Sequence, residues 1–220
     1  MIKILNLYAC LGGNRYKWNE VADNIEVTSI ELDPHLAELY KQRFPNDNVI
    51  VADAHDFLLH NFKDFDFIWS SPPCPTHSRV RISQKNRSSF KPVFPSMSLY
   101  EEIIFLDNYF EGKYVVENVI PFYTPLIPGK KIGRHLFWSN LKLNGIKERK
   151  KGFIISEAHD EIKKLCNFHE IDISNYKGKQ RKDKIARNLV DYEVGKQIFE
   201  IFINGKVSSS NNSIQSKFDF

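Results

Sequence analysis

The chain has 220 residues, 42% hydrophobic and 26% charged, with 10 Gly, 10 Pro and a net charge of +4, a composition that excludes collagen-like, coiled-coil and wholly disordered proteins. One sizeable domain with at most a small appendage fits this length. The apolar stretches around Phe65 to Trp69 and Val115 to Tyr123 are interrupted by Asp66, Glu117 and Asn118 and fall far short of the ~20 residues of a membrane span.

The first element predicted is a buried strand over Ile2 to Tyr8. It is too short, and with Asn6 inside it too polar, for a leader ending at Cys10. The three cysteines, Cys10, Cys74 and Cys166, make no disulfide framework, so the protein is expected in the reducing cytoplasm. Further short strands are predicted at Glu26 to Ile30, Val49 to Ala52, Phe65 to Ser70 and Tyr114 to Val116. Between them Pro34 to Phe44 places Leu36, Leu39, Tyr40 and Phe44 on one helical face, with Asp33 as N-cap and Pro34 as first helical residue. Leu99, Ile103, Leu106 and Phe110 form a second such stripe. Strand and helix in alternation predict an α/β fold, a mainly parallel, doubly wound sheet covered on both faces, with ligands outside the carboxyl ends of the strands. The serine- and asparagine-rich stretch within Gly205 to Phe220 predicts a flexible tail.

Charge is unevenly spread. Residues 1–70 hold 6 Lys and Arg against 11 Asp and Glu, whereas residues 71–151 hold 14 against 6. Pro75 to Tyr100 contains Arg79, Arg81, Lys85, Arg87 and Lys91 without an acid, and Lys177 to Arg187, with Lys179, Arg181 and Lys182, contains Asp183 as its one acid. Such clusters suit a polyphosphate backbone.

The chemistry-bearing residues lie at the predicted strand ends. Gly12 and Gly13, after Tyr8, mark a turn where backbone can approach a ligand closely. Glu31, at the end of the second strand, is placed to take the ribose hydroxyls of a nucleoside cofactor, and Asp53, after the third, to accept from an adenine amino group. After the fourth strand, Ser71-Pro72-Pro73-Cys74-Pro75-Thr76-His77 forms a rigid, non-helical loop that exposes Cys74. A cysteine attacks as thiolate and needs a positive field, which His77, Arg79 and Arg81 are expected to supply.

With these residues in view, the chain resembles the DNA cytosine-C5 methyltransferases that use S-adenosylmethionine. Pro73-Cys74 looks like the family's Pro-Cys loop and Glu117-Asn118-Val119 like its Glu-Asn-Val triplet. Tyr8 to Arg15 is similar to its glycine-rich start, with Cys10 in place of a third glycine, and the acids of the next strand ends look like Glu31, Asp33 and Asp53. Arg187-Asn188-Leu189-Val190 and Gly195 are similar to the segment that completes the cofactor pocket. Gly133-Arg134-His135-Leu136-Phe137 stands where the family has a glutamine-and-arginine element, which makes Arg134 a candidate beside the base. The resemblance spans about residues 2–202. It implies S-adenosyl-L-methionine held by Tyr8, Gly12, Gly13, Glu31, Asp53 and Asn188, and methylation of a flipped-out cytosine in double-stranded DNA by Cys74, Glu117 and Arg134. It also implies phosphate contacts from Arg79, Arg81, Lys179, Arg181 and Lys182.

The implied organisation is a catalytic domain over residues 1–140, a small target-recognition region over 141–184, and a returning segment over 185–204 ahead of the tail. A monomer is expected, in a restriction-modification or phage DNA-protection setting, with a cognate endonuclease or recognition partner as companion. RNA cytosine is the rival substrate. A non-catalytic cofactor-binding subunit is a further rival, as is a zinc site built from Cys74 with His77 and Cys166 with His169. Metal is not expected in the main reading. Amino-group methylation is disfavoured, because Cys74 stands where those enzymes place a stacking aromatic residue.

Overall fold

The computed structural model describes residues 1–86, 88–150 and 160–215, the last ten by backbone alone. Arg87, residues 151–159 of the expected recognition region and residues 216–220 of the expected tail lie outside the described residues.

Seven strands form one sheet in the order β3-β2-β1-β4-β5-β7-β6. They are β1 (Ile2–Leu7), β2 (Ile25–Glu31), β3 (Asn48–Val51), β4 (Phe67–Ser70), β5 (Lys113–Val119), β6 (Lys130–Ile132) and β7 (His135–Ser139). The first five pair in parallel, and β7 runs antiparallel to both β5 and β6. Strand order reverses between β1 and β4, and the register sets Leu7 beside Ile30 and Ser70, and Ser70 beside Val116. The carboxyl ends of β1, β2, β4 and β5 therefore reach one edge, with the reversal of strand order, the place where such sheets bind ligands, between β1 and β4.

Strands covered on both faces read as unbroken apolar runs, and their side chains divide between two cores by the period of two. Leu5, Leu7, Ile68 and Val116 face a layer made by α2 (Ala54–Asn61) and α4 (Ser98–Tyr109), with Leu58, Leu99, Ile103 and Leu106. Ile4, Phe67, Trp69 and Val115 face the other way, onto Trp18 and onto Ile198, Phe199 and Phe202 of α7 (Tyr192–Gln215). On α1 (Pro34–Arg43), Asp33 caps as the sequence predicts, accepting from the His35 amide at 2.9 Å. The α4 stripe is buried as expected, with Leu106 at 0% exposure; truncating such a leucine to alanine costs about 2–5 kcal/mol.

Between the predicted third and fourth strands lies α2, which the sequence reading left unassigned. Its N-cap is Asp53, whose Oδ1 accepts from the Asp56 amide at 3.0 Å. A short α3 (Val80–Ser83) follows the Cys74 loop. The backbone of the serine- and asparagine-rich stretch is helical as far as Gln215, as the end of α7, where a flexible tail was expected. The packed turns of α7 before it nucleate the helix, and each added Ser or Asn then costs only about 0.5 kcal/mol in propensity.

Residues 160–190 share a core with the β1 loop. Leu165 of α5 (Glu161–His169), Ile173, Tyr176, Ile185 and Ala186 of α6 (Lys182–Asn188), and Leu189 form one cluster with Leu11 and with Leu36 of α1. The Tyr176 hydroxyl donates to Asp33 Oδ2 at 2.5 Å across the same junction.

Candidate active site

The loop after β1 turns through three residues in the left-handed region, Tyr8 at φ 55°, Cys10 at φ 48° and Gly12 at φ 64°, a conformation that favours glycine. Cys10 thus has the backbone of the glycine it replaces. Packing adds to the need for glycine at Gly12 and is the reason for it at Gly13. A Cβ on Gly12 would come within 2.4 Å of the Phe44 ring, and one on Gly13 within 2.6 Å of the Val190 carbonyl oxygen. The segment from Asn188 to Gly195 therefore lies directly on this loop.

Glu31 is 8% exposed at the end of β2. Its two oxygens accept from the backbone amides of Cys10 at 2.8 Å and Asp33 at 2.9 Å, and burial holds its pKa above the ordinary carboxylate value against those bonds. Each oxygen keeps a second lone pair, so the group fits the donor hydroxyls of a ribose. Asp53 is exposed at the start of α2 and carries a further oxygen beyond its capping one. The Tyr8 hydroxyl is taken by Glu102 Oε1 at 2.6 Å, which leaves the ring and the backbone of Tyr8 to meet a ligand. These groups fit a nucleoside.

The Cys74 loop is held from three sides. Asn118, 1% exposed, donates its side-chain amide to the Pro72 carbonyl at 2.9 Å. Ser78 bridges Pro121, and the Phe122 amide donates to the His77 carbonyl at 3.1 Å. His77 is fully buried, with Nδ1 2.5 Å from the Tyr123 hydroxyl, and burial lowers its pKa.

His77 is therefore a neutral anchor and not the positive group expected beside Cys74. The expected arginines are engaged elsewhere too: Arg79 donates to the Pro121 carbonyl at 3.4 Å, and Arg81 donates to the Lys91 carbonyl at 2.6 Å while covering the Phe90 ring. The cation whose field reaches the thiol is Lys184 of α6. Even so, burial, followed by the charge of Glu117, pushes the Cys74 thiol up to about 11. Cys74 Sγ lies 4.0 Å from Asn188 Oδ1, which brings a residue expected at the cofactor to the expected nucleophile.

Glu117, 5% exposed in β5, has its pKa pushed up to about 7 by burial, opposed by a hydrogen bond from Ser71 and the charge of Arg134. At neutral pH it carries a proton for a good part of the time, as a group donating to a ring nitrogen must. Arg134 donates through one Nη to the Arg187 carbonyl at 3.1 Å, so it ties β7 to α6 beside Glu117, and its buried Nε has no hydrogen-bond partner. His135 Nε2 lies 3.5 Å from Glu117 Oε1, with both side chains buried. The sequence reading quoted His135 without assigning it. Its placement follows from pairing, since β7 sets His135 beside Val119 and Phe137 beside Glu117, which aligns His135 and Glu117 on one face of the sheet.

In the second basic cluster, Arg181 forms a bidentate pair with Asp183 at 2.9 Å, and Lys182 donates to the Ser174 carbonyl at 2.6 Å. Lys179 is exposed. Among the described residues no three His, Cys, Asp or Glu side chains gather as a metal site, so the rival zinc site is not assembled. No described helix is long and apolar enough to cross a membrane. A cavity of about 810 Å³ opens at the other end of the sheet, lined by Phe62, Asp66, Phe110 and Lys113, and holds none of the assigned residues.

A parallel sheet reversed between β1 and β4, with an antiparallel β7, is the α/β Rossmann-like fold of methyltransferases. The family described as C-5 cytosine-specific DNA methylase matches residues 2–119, more than half of the chain, and the chain belongs to that family. The methyl donor of the family is S-adenosylmethionine. No curated protein matches the chain. Among solved structures it is similar to a mutant of Spodoptera frugiperda DNMT2, at 25% identity over 54% of this chain and 36% of that one with a TM-score of 0.38. It is also similar to the putative methyltransferase yhhF from Escherichia coli, at 18% identity over 62% and 73% with a TM-score of 0.39. A third is a putative DNA modification methyltransferase encoded within an E. coli prophage, at 18% identity over 56% and 34% with a TM-score of 0.36. The chain spans about a third of the length of the DNMT2 chain that it matches.

Proposed function

We propose that this protein methylates C5 of cytosine in double-stranded DNA through a covalent adduct on Cys74. The observation that carries this reading is the convergence at one edge of the sheet of Cys74, Asn188 and Lys184 with a buried Glu117 that holds a proton near neutral pH.

Cytosine C5 is a poor nucleophile. Attack by the Cys74 thiolate on C6 forms a C–S bond and moves the ring electron pair to C5, while Glu117 delivers its proton to N3 and takes up the charge change on that edge. Arg134 and His135 flank Glu117. S-adenosylmethionine supplies the electrophilic methyl group that the activated C5 accepts. Water then takes the C5 proton, the electron pair returns to the C5–C6 bond and expels Cys74 as thiolate, and N3 gives its proton back to Glu117.

The cofactor residues in this reading are Tyr8, Gly12, Gly13, Glu31, Asp53 and Asn188, the two glycines by allowing the Asn188 segment to close on the β1 loop. Because C6 is out of reach within a stacked duplex, the cytosine is flipped out. The rim beyond Cys74 suits that substrate: Arg79, Arg81, Lys85 and Lys91 lie there without an acid, alongside exposed Val80, Ile82 and Phe94. Phosphates bind the former, and an opened base stack accommodates the latter. Lys179, Arg181 and Lys182 extend the basic surface.

The test is incubation with labelled S-adenosylmethionine and either duplex DNA or tRNA, followed by nucleoside analysis. Label in 5-methyldeoxycytidine is expected. Label confined to RNA 5-methylcytidine would transfer the reading to RNA, and a chain that binds the cofactor without turnover would reduce it to a binding subunit.

A further inference from the structure

Glu102 takes no part in the reaction written above and carries no signal in the sequence, yet it is 1% exposed. It lies on α4 between residues whose side chains make an apolar layer, Leu99, Ile103 and Leu106. An apolar residue there would serve packing better, since a buried carboxylate is costly unless its oxygens are well hydrogen-bonded.

Three donors from three other elements meet it. The Tyr8 hydroxyl donates to Oε1 at 2.6 Å and the Ser70 hydroxyl to Oε2 at 2.5 Å, while His55 Nδ1 lies 3.0 Å from Oε1. Tyr8 follows β1 in a left-handed conformation that an L-residue keeps only when it is held. Ser70 ends β4 and opens the loop to Cys74. His55 lies in the first turn of α2, behind Asp53. Burial, and next the charge of Glu102, raises the Tyr8 pKa, so the phenol stays a donor.

We propose that Glu102 is a positioning residue. Through Tyr8 it fixes the cofactor wall of the site, through Ser70 the start of the nucleophile loop, and so one buried carboxylate sets the span between methyl donor and Cys74. The proposal rests on the methyl-transfer reading above and deepens it.

A double-mutant cycle in the full chain tests it, with two readouts: KM for S-adenosylmethionine, and the rate at which a duplex carrying 5-fluorocytosine is trapped on Cys74. Losing a hydrogen bond to a charged group corresponds to about tenfold. Tyr8→Phe is expected to raise KM by that factor with a smaller change in trapping. Ser70→Ala is expected to slow trapping by that factor with a smaller change in KM. Glu102→Ala should do both, and Tyr8→Phe added to it should raise KM no further. Glu102→Gln, which keeps the shape and an acceptor for Tyr8, should restore most of both.

A purely structural Glu102 would instead shift the melting temperature and leave effects that multiply in the double mutant, which would overturn the proposal, as would wild-type KM and trapping in Glu102→Ala. If Glu102→Ala fails to fold, the Glu102→Leu/Tyr8→Phe cycle, which removes both acceptor oxygens and fills the apolar layer, carries the same comparison. Failure of the methyltransferase reading is distinct. The wild-type chain would then neither turn over nor trap the duplex, and the proposal would fall with it.

Discussion

The side-chain amide of Asn118 donates to the carbonyl of Pro72 at 2.9 Å, so the strand that carries the acid Glu117 also holds the loop that carries the nucleophile Cys74. The Asn118 side-chain oxygen in turn accepts from the Val119 amide at 2.9 Å. The Glu-Asn-Val triplet thus combines an acid with a latch. Replacing Asn118 by alanine leaves the buried Pro72 carbonyl without its donor. A stability loss of about 1–3 kcal/mol is expected by urea unfolding, together with slower trapping of 5-fluorocytosine DNA and unchanged cofactor affinity by calorimetry.

Glu117 and Cys74 predict an unusual pH profile. The proposed reaction needs Glu117 protonated and Cys74 deprotonated, while burial places their pKa values at about 7 and about 11. The productive form is then a minority species. Its population rises with pH up to about 7 and stays level until about 11. A log plot of kcat/KM should therefore show unit slope below neutrality and a plateau above it. In Glu117→Gln the residual rate should keep rising through neutral pH. The same shift affects folding. A carboxyl whose folded pKa exceeds the ordinary 4.5 binds more protons folded than unfolded, so stability falls as pH rises from about 4.5 to about 7. The loss is up to about 3 kcal/mol, and Glu117→Gln should flatten that part of the stability curve.

Lys184 is the cation whose charge opposes the rise in the Cys74 pKa, so in the proposed reaction it, more than Arg79 or Arg81, is expected to tune the thiol. Lys184→Ala is expected to slow alkylation of Cys74 by iodoacetamide at pH 8 severalfold, because removing a nearby positive charge lowers the thiolate fraction. Arg79→Ala should leave that rate unchanged. An equal fall in both variants would restore the expectation drawn from sequence.

The Lys179, Arg181 and Lys182 cluster is partly committed within the protein, through Asp183 and the Ser174 carbonyl. Neutralising all three should weaken binding to cognate and unrelated duplexes alike. It should flatten the log-log salt dependence by about 1 to 2, less than the roughly 3 expected of three uncommitted cations. Filter binding across a salt series measures it.

The fold was legible where local signals coincide. Mainly apolar strands arise because β1, β4 and β5 are covered on both faces, and Asp33-Pro34 announces α1 by the capping bond it makes. The Pro-Cys loop and the Glu-Asn-Val triplet were legible because each is contiguous. Relations between distant segments were hidden. Lys184 reaches Cys74 because α6 packs on the β1 loop, and Glu102 gathers Tyr8, Ser70 and His55 from three elements. Proximity in sequence misled at His77, which is buried against Tyr123, and at Arg79 and Arg81, which donate to the Pro121 and Lys91 carbonyls. At Gly12 and Gly13 the sequence did not show the neighbours, Phe44 and Val190, that their missing side chains admit.

The core shared by Leu165, Ile173, Ile185 and Leu189 with Leu11 and Leu36 bears on how such a protein can diversify. A recognition module that stands apart from its catalytic body can be exchanged between relatives as a cassette, with only the junctions to repair. Here the exchange would cut through packed side chains and through the Tyr176–Asp33 bond. It would also strip Cys10 of neighbours that hold it in a glycine-like conformation. In the proposed reading of residues 141–184 as the recognition region, new target preferences are thus expected to arise by point substitution on exposed positions such as Lys179, with the buried half inherited together with the loop after β1.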